Sequence, residues 1–169
     1  MLEKTSRQLI FRPLLEAADA AKIEQILHRT GVFYAEEIPV ARELLDECLS
    51  QGPDSYYRCF VAQANNQLLG YALYVEVAAT QGTFELYWLA VDPEIQGQGI
   101  GRRLMSELEQ QVLAAHGRRI YISTSAKPEY ESARKLYASC GYKLAGRLPD
   151  YFRQGDDLLY FYKVLEAGL

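Results

Sequence analysis

The order of hydrophobic patterns along the chain predicts an α+β fold with a mixed, mostly antiparallel sheet flanked by about four helices. Three observations carry this reading. Two amphipathic helical segments precede the main block of strands, two alternating strands are joined by Asn65-Asn66, and a strand, a glycine-rich turn and a helix follow one another from Thr83 to His116. The 169 residues hold no linker, repeat or low-complexity tract, so 1–169 reads as a single domain.

Each element has a local cause. Leu9 to Arg12 is a short strand stopped by Pro13, and Asp19 then opens a helix with Ile23, Ile26 and Leu27 on one face, closed by Gly31. Pro39 followed by VARELLDECL is a second helix, ended by Gly52-Pro53. Tyr57 to Ala64 and Gln67 to Val77 form a hairpin, because Asn tolerates the positive φ of a two-residue turn. Thr83 to Val91 is nearly continuous in aromatic and aliphatic residues, which predicts burial on both faces. Ile100 to His116 carries Leu104, Met105, Leu108, Val112 and Leu113 at helical spacing and ends at Gly117; RRIYISTS is the next strand. Glu129 to Ser139 is a short helix, and YKLAG and LLYFYKVL are a final pair of strands separated by the segment LPDYFRQGDD.

Composition narrows the function classes. A net charge of −4 without a basic run gives no attraction to nucleic acid or an anionic membrane, and no apolar stretch approaches a membrane span. The opening MLEKTSRQLIFRP lacks the apolar core of a secretory signal, so a cytoplasmic location is expected. Cys48, Cys59 and Cys140 are odd in number and far apart, without a C-x-x-C or a nearby His, so no metal site is expected. They read as small buried thiols, with a reactive thiol at Cys140 as the alternative.

The sharpest local signal is VDPEIQGQGIGRRLM, where Gln96, Gly99 and Gly101 fit a Gln/Arg-x-x-Gly-x-Gly/Ala pattern between strand and helix. The pattern alone turns up in roughly one of six chains this long at ordinary glycine frequencies; its position supplies the weight. Glycines let the backbone approach a ligand, and the first N–H groups of the helix have no intrahelical partner, so a diphosphate can be held by main-chain donors. Arg102 and Arg103 add charge nearby. A dinucleotide fingerprint is excluded because Arg102 stands where its third glycine belongs, and a P-loop because no Gly-Lys-Ser/Thr follows.

With YWLAVDPEIQGQGIG and the later ARKLYASCGY, the chain resembles the GNAT superfamily of acyl-CoA N-acyltransferases over most of its length. The resemblance implies a sheet splayed between its fourth and fifth strands, with the pantetheine arm of acetyl-CoA in the gap. It implies backbone contacts from Leu89, Ala90 and Val91 to the pantetheine and acetyl groups, and a diphosphate turn formed by Gln96, Gly97, Gln98, Gly99, Ile100, Gly101 and Arg102. Tyr137 falls where the family's helix carries the acid that protonates the departing thiolate; the other reading is an aromatic packed under the helix. Leu89 N–H is the implied oxyanion donor.

Glu85 is the one acidic residue in an otherwise apolar strand, eleven residues before Gln96, the offset of the general-base glutamate in the histone-acetyltransferase branch. It reads as the base, as a contact to the amine, or as a solvent-facing residue. Tyr130 departs from the family, which often has an Asn at that position. Ser123, Thr124 and Ser125 read as turn residues. Tyr56-Tyr57, Tyr87 and LPDYFRQGDD offer an aromatic and acidic wall for an amine, or ordinary tyrosine packing. The expected reaction is acetyl transfer from acetyl-CoA to a primary amine of a small molecule, peptide or protein, without a metal. The alternative is a catalytically silent acyl-CoA-binding module, and exposed strand edges also permit a homodimer.

Overall fold

Among the described residues, 8–12 and 16–166 of this computed structural model, seven strands form one sheet in the order β1-β2-β3-β4-β5-β7-β6. The strands are β1 (Ile10–Arg12), β2 (Tyr57–Ala64), β3 (Gln67–Glu76), β4 (Thr83–Val91), β5 (Arg119–Ser125), β6 (Lys143–Arg153) and β7 (Asp156–Val164). All neighbours run antiparallel except β4 and β5, which are parallel. The first seven residues and Pro13 lie outside the described span, and with them the expectations for the opening segment and the strand stop.

Among the described residues four α-helices flank the sheet: α1 (Ala17–Thr30), α2 (Glu37–Gln51), α3 (Ile100–Ala114) and α4 (Glu131–Ser139). Ile23, Ile26 and Leu27 of α1 and Leu45 of α2 pack with Val61, Tyr71 and Leu73 on one face. Leu104, Met105, Leu108 and Val112 of α3 and Tyr137 of α4 pack with Phe60, Tyr74, Phe84, Ile120 and Ile122 on the other. The central strands are buried on both faces because helices cover both. No described helix is long and apolar enough to cross a membrane.

Most boundaries follow from the residues that set them. Asn65 and Asn66 take φ of 49° and 61°, the two positive values of a tight hairpin turn. The first helix starts at Ala17, two residues before Asp19, which acts instead at the third helical position in a reciprocal capping box with Glu16. The second starts at Glu37, leaving Pro39 in the first turn, where its missing N–H costs no hydrogen bond. Glu129 falls in a 3-10 turn, Pro128–Tyr130, that leads into α4.

Two expectations need correction. The segment LPDYFRQGDD is not a loop: β6 continues to Arg153, and only Gln154-Gly155 turns before β7. Pro149 is accommodated because β6 is an edge strand whose register to β7 is irregular between Leu148 and Arg153. Nor is β4 buried on both faces along its length, since Tyr87 is 41% exposed and Trp88, Leu89 and Val91 only half-buried. The cause is the departure of β5. Of the thiols, Cys59 is buried whereas Cys48 and Cys140 are partly so.

The core supplies a prediction of opposite signs. The Tyr71 hydroxyl is fully buried and has no hydrogen-bond partner among the described residues, so Tyr71→Phe is expected to leave stability unchanged or raise it by about 1 kcal/mol. A Cβ on Gly117 would stand 2.3 Å from Val112 Cγ1 and 2.8 Å from Phe84 Cε2; Gly117→Ala should therefore cost about 1–3 kcal/mol. Denaturant midpoints of the two variants against the parent chain check both.

Candidate functional site

β4 and β5 pair only from Thr83↔Arg119 to Leu86↔Ile122. Beyond that rung β4 stays with β3 and β5 stays with β7, so the two strands separate and their facing backbone edges lose partners. The separation begins at a bulge: Leu73 pairs Trp88 and Tyr74 pairs Leu86, leaving Tyr87 as the extra residue. A bulge bends a strand and increases its twist, which turns β4 away from its parallel neighbour.

A cavity of about 520 Å³ fills the gap, within the size range of small-molecule sites. Tyr87 to Val91 wall it on one side and Ser123 to Ser125 on the other, the residues that follow the last β4–β5 rung. At one end lie Gln96, Gly97, Gly99, Ile100, Gly101 and Arg102. Gly97 and Gly99 have φ of 78° and 81°, with Gln98 between them, and a Cβ at either would meet no atom within 4 Å. This alternation of hand directs successive N–H groups into one concavity, continued by the N-terminus of α3. The end of the cavity can thus hold an anion by main-chain donors alone.

Side chains support this turn. Gln96 Nε2 donates to the Val91 carbonyl at 3.2 Å, and Arg102 Nη1 to the Ser139 carbonyl at 3.2 Å, tying the turn to β4 and to the end of α4. Asp92, buried just before the turn, accepts the Glu94 N–H at 3.2 Å and pairs with Arg29 at 2.6 Å, which fixes the turn to the last turn of α1.

Tyr137 lines the cavity while its ring packs 6.1 Å from Phe161 and 6.4 Å from Tyr142. Burial pushes its phenol well above the ordinary value, so its proton is held through the neutral range. Leu89, Ala90 and Val91 line the gap, and Gln98 is absent from the lining.

Glu85 is absent from it as well. The residue pairs with Val75 and Tyr121 on the still-closed part of β4, two positions before the bulge, and half-burial raises its carboxyl above the usual range. Of the suggested aromatic and acidic wall, Tyr87, Phe152 and Asp156 reach the cavity and Tyr56 and Tyr57 do not; Tyr57 instead packs 5.9 Å from Tyr87.

Several lining residues have no individual role legible in the sequence. Asp156 is fully buried at the start of β7, where it accepts from Ser125 Oγ at 2.5 Å and Tyr34 Oη at 3.2 Å, with Lys127 Nζ 3.9 Å away. Ser125 is therefore more than a turn residue. Phe33 and Tyr34, from the connection between α1 and α2, and Glu37, the first residue of α2, complete this end of the cavity. Glu37 accepts the Tyr34 N–H at 2.6 Å, and burial raises its carboxyl above the usual range. A short connection between two helices has no periodic pattern by which such roles could be assigned.

Comparisons with known proteins agree with this geometry. The model of the acetyltransferase (GNAT) family matches residues 21–142. A crystal structure described as a GNAT-family acetyltransferase from Desulfovibrio desulfuricans superposes with a TM-score of 0.88 at 34% identity, covering 92% of this chain and 98% of that one. An uncharacterized protein of Mycobacterium leprae is 36% identical over 98 residues, 57% of this chain and 26% of that protein. The N-alpha-acetyltransferase RimI of Mycobacterium tuberculosis is 33% identical over 93 residues, 54% of this chain and 56% of RimI. The match thus spans from about a quarter to about half the length of these curated relatives. From residues that build a splayed sheet and a glycine turn, and from a family match over most of its length, the chain is a member of the GNAT family of acetyltransferases.

Proposed function

We propose that the chain transfers an acetyl group from acetyl-CoA to a primary amine by direct attack while both are bound. One observation carries this reading: the unpaired edges of β4 and β5 and the concavity of the glycine turn open into the same cavity. A ligand with an anionic end, an amide-bearing arm and a reactive tip fits that sequence of surfaces. Gly97, Gly99 and the first N–H groups of α3 would receive its diphosphate, with Arg102 adding charge; Leu89, Ala90 and Val91 would meet its arm through backbone groups.

The amine nitrogen forms a bond to the thioester carbonyl carbon, the C–S bond breaks, the nitrogen loses a proton and the sulfur gains one. Leu89 N–H is the donor for the oxygen that becomes negative during attack. Tyr137, kept protonated by burial, supplies the proton to the sulfur. Glu85 acts as base through water, since it stands outside the cavity lining and direct contact with the amine is not available to it.

Three outcomes test these assignments. Calorimetric titration with acetyl-CoA should give saturable binding to the parent chain and none to folded Gly99→Trp, whose side chain would fill the open space above a residue with φ of 81°; equal binding by both removes the turn from the site. Tyr137→Phe should bind acetyl-CoA normally and lose about 10²–10⁴-fold in kcat. Normal turnover in this variant would reduce Tyr137 to packing, and binding without turnover of any amine by the parent chain would favour the silent module.

Glu85→Gln combines a kinetic and a stability readout. Turnover should fall most above the raised carboxyl value and below that of the amine, where the carboxylate is ionised and the amine still needs a base, and an unchanged pH–rate profile would remove Glu85 from the mechanism. Because the folded state raises this carboxyl above its ordinary 4.5, the ionised form is disfavoured by folding. The variant should therefore gain in thermal midpoint at neutral pH. That gain should build as pH rises from the ordinary value through the raised one, and be absent below about pH 4.

A further inference from the structure

The acceptor end of the cavity is roofed by the connection between α1 and α2, and this strap is braced on both sides of the gap. Phe33 lies 5.1 Å from Trp88 of β4 and 6.4 Å from Tyr130 at the base of α4, ring centroid to ring centroid. One aromatic ring therefore bridges the two separated halves of the sheet. Tyr34 is held by Asp156, by the Lys127 ammonium against its hydroxyl, and by the Arg153 guanidinium 3.4 Å from its ring centre. Arg153 is itself held by Glu36 at 3.0 Å, which latches the strap to the β6–β7 hairpin.

The first residue of α2, next to the strap, adds a charge to this end of the cavity. Glu37 lines the cavity, and its Oε2 takes the Tyr34 N–H; Oε1 accepts no hydrogen bond and no cation stands within ion-pair distance among the described residues. The cations nearby are committed elsewhere, Lys127 to Tyr34 and Asp156 and Arg153 to Glu36.

Resting on the acetyl-transfer reading, which assigns the glycine turn to the donor and so leaves the strap end to the acceptor, we propose that Phe33 and Glu37 select the acceptor. Phe33 sets the width of the passage and Glu37 attracts the charge, so the favoured acceptor is a primary ammonium on an unbranched methylene carbon. That chemistry occurs in small alkyl amines and in the lysine side chain. An α-amino terminus, substituted at the adjacent carbon, is disfavoured by the same constriction.

The test compares butylamine with sec-butylamine, which share charge, composition and basicity and differ only in branching beside nitrogen. The parent chain should favour butylamine by at least tenfold in kcat/KM, measured by CoA release. Phe33→Ala should bring the ratio to within about threefold by raising the rate with sec-butylamine, with Phe33→Leu intermediate. A ratio unchanged in Phe33→Ala, or a parent chain that prefers the branched amine, overturns the proposal. Glu37→Gln keeps the acceptor for Tyr34 N–H and removes only the charge, so it should raise KM for butylamine about tenfold with little change in kcat; an unchanged KM overturns the role of Glu37.

Acetyl-CoA affinity equal to that of the parent chain shows that these variants are folded at the donor end. 1,4-Diaminobutane against Nα-acetyl-lysinamide then separates the two sources of the favoured chemistry. Faster acetylation of an alanine-terminated peptide than of either overturns the class. CoA release from no amine at all overturns the acetyl-transfer reading itself, whereas release with an unaltered branching ratio overturns the present proposal alone.

Discussion

The site depends on the loss of hydrogen bonding between β4 and β5 after the Leu86↔Ile122 rung. Unpaired backbone inside a protein costs free energy unless something else meets it, so a gap in the middle of a seven-stranded sheet has to be held open by the structure around it. The bulge at Tyr87 turns one edge, and the antiparallel pairing of β5 with β7 as far as Ser125↔Leu158 holds the other. The two half-sheets are joined below the gap by the four paired positions from Thr83 to Leu86, and above it by side chains such as Phe33 of the strap, set between Trp88 and Tyr130. A fixed slot with open amide edges results from these constraints, and the glycine turn and the strap are placed at its two ends.

The two ends are built from different materials. The turn end relies on main-chain N–H groups, and its side chains serve to hold the backbone: Gln96 on Val91, Arg102 on Ser139, Asp92 under Arg29. The strap end relies on side chains from segments far apart in sequence, joined by the Tyr34, Lys127 and Asp156 contacts and by Glu36 with Arg153. Arg29 belongs to the last turn of α1, immediately before the strap, so one helix end is fixed to the turn and carries the roof over the opposite end. The geometry of the two ends is therefore not independent.

This difference in material explains what could be read from sequence. A backbone that must adopt positive φ at alternate positions admits few residues, so Gly97 and Gly99 announced their turn, as Asn65-Asn66 announced theirs. The helices announced themselves by periodicity because each buries one face. The strap end had no such grammar: Phe33, Tyr34, Glu37 and Asp156 are ordinary residues, and the contacts that give Phe33, Tyr34 and Asp156 their meaning reach across the chain, as between Tyr34 and Asp156, 122 positions apart. The extent of β6 was not legible because Pro149 is compatible with a strand only at an edge and at an irregular register, a circumstance that the pairing reveals. The reduced burial of β4 was hidden for a related reason, since the same apolar residues suit a core and the wall of a cavity.

The carboxylates of the protein separate along the same line. Asp19, Asp92 and Asp156 are buried, and each meets a cation or several donors at the start of a structural element, so their charge is compensated where it stands. Glu37 and Glu85 are half-buried, have no cation within ion-pair distance among the described residues, and are the carboxyls that burial pushes upward. A partly desolvated carboxylate left without a partner reduces stability, and a fold with many available lysines and arginines could neutralise it. These two carboxylates stand one on the cavity wall and one two positions before the bulge that opens the cavity, the placement expected of groups that exchange a charge or a proton with a ligand. Asp92 and Asp156 thus hold the two ends of the slot in shape, and Glu37 and Glu85 are carboxylates whose charge no cation among the described residues compensates.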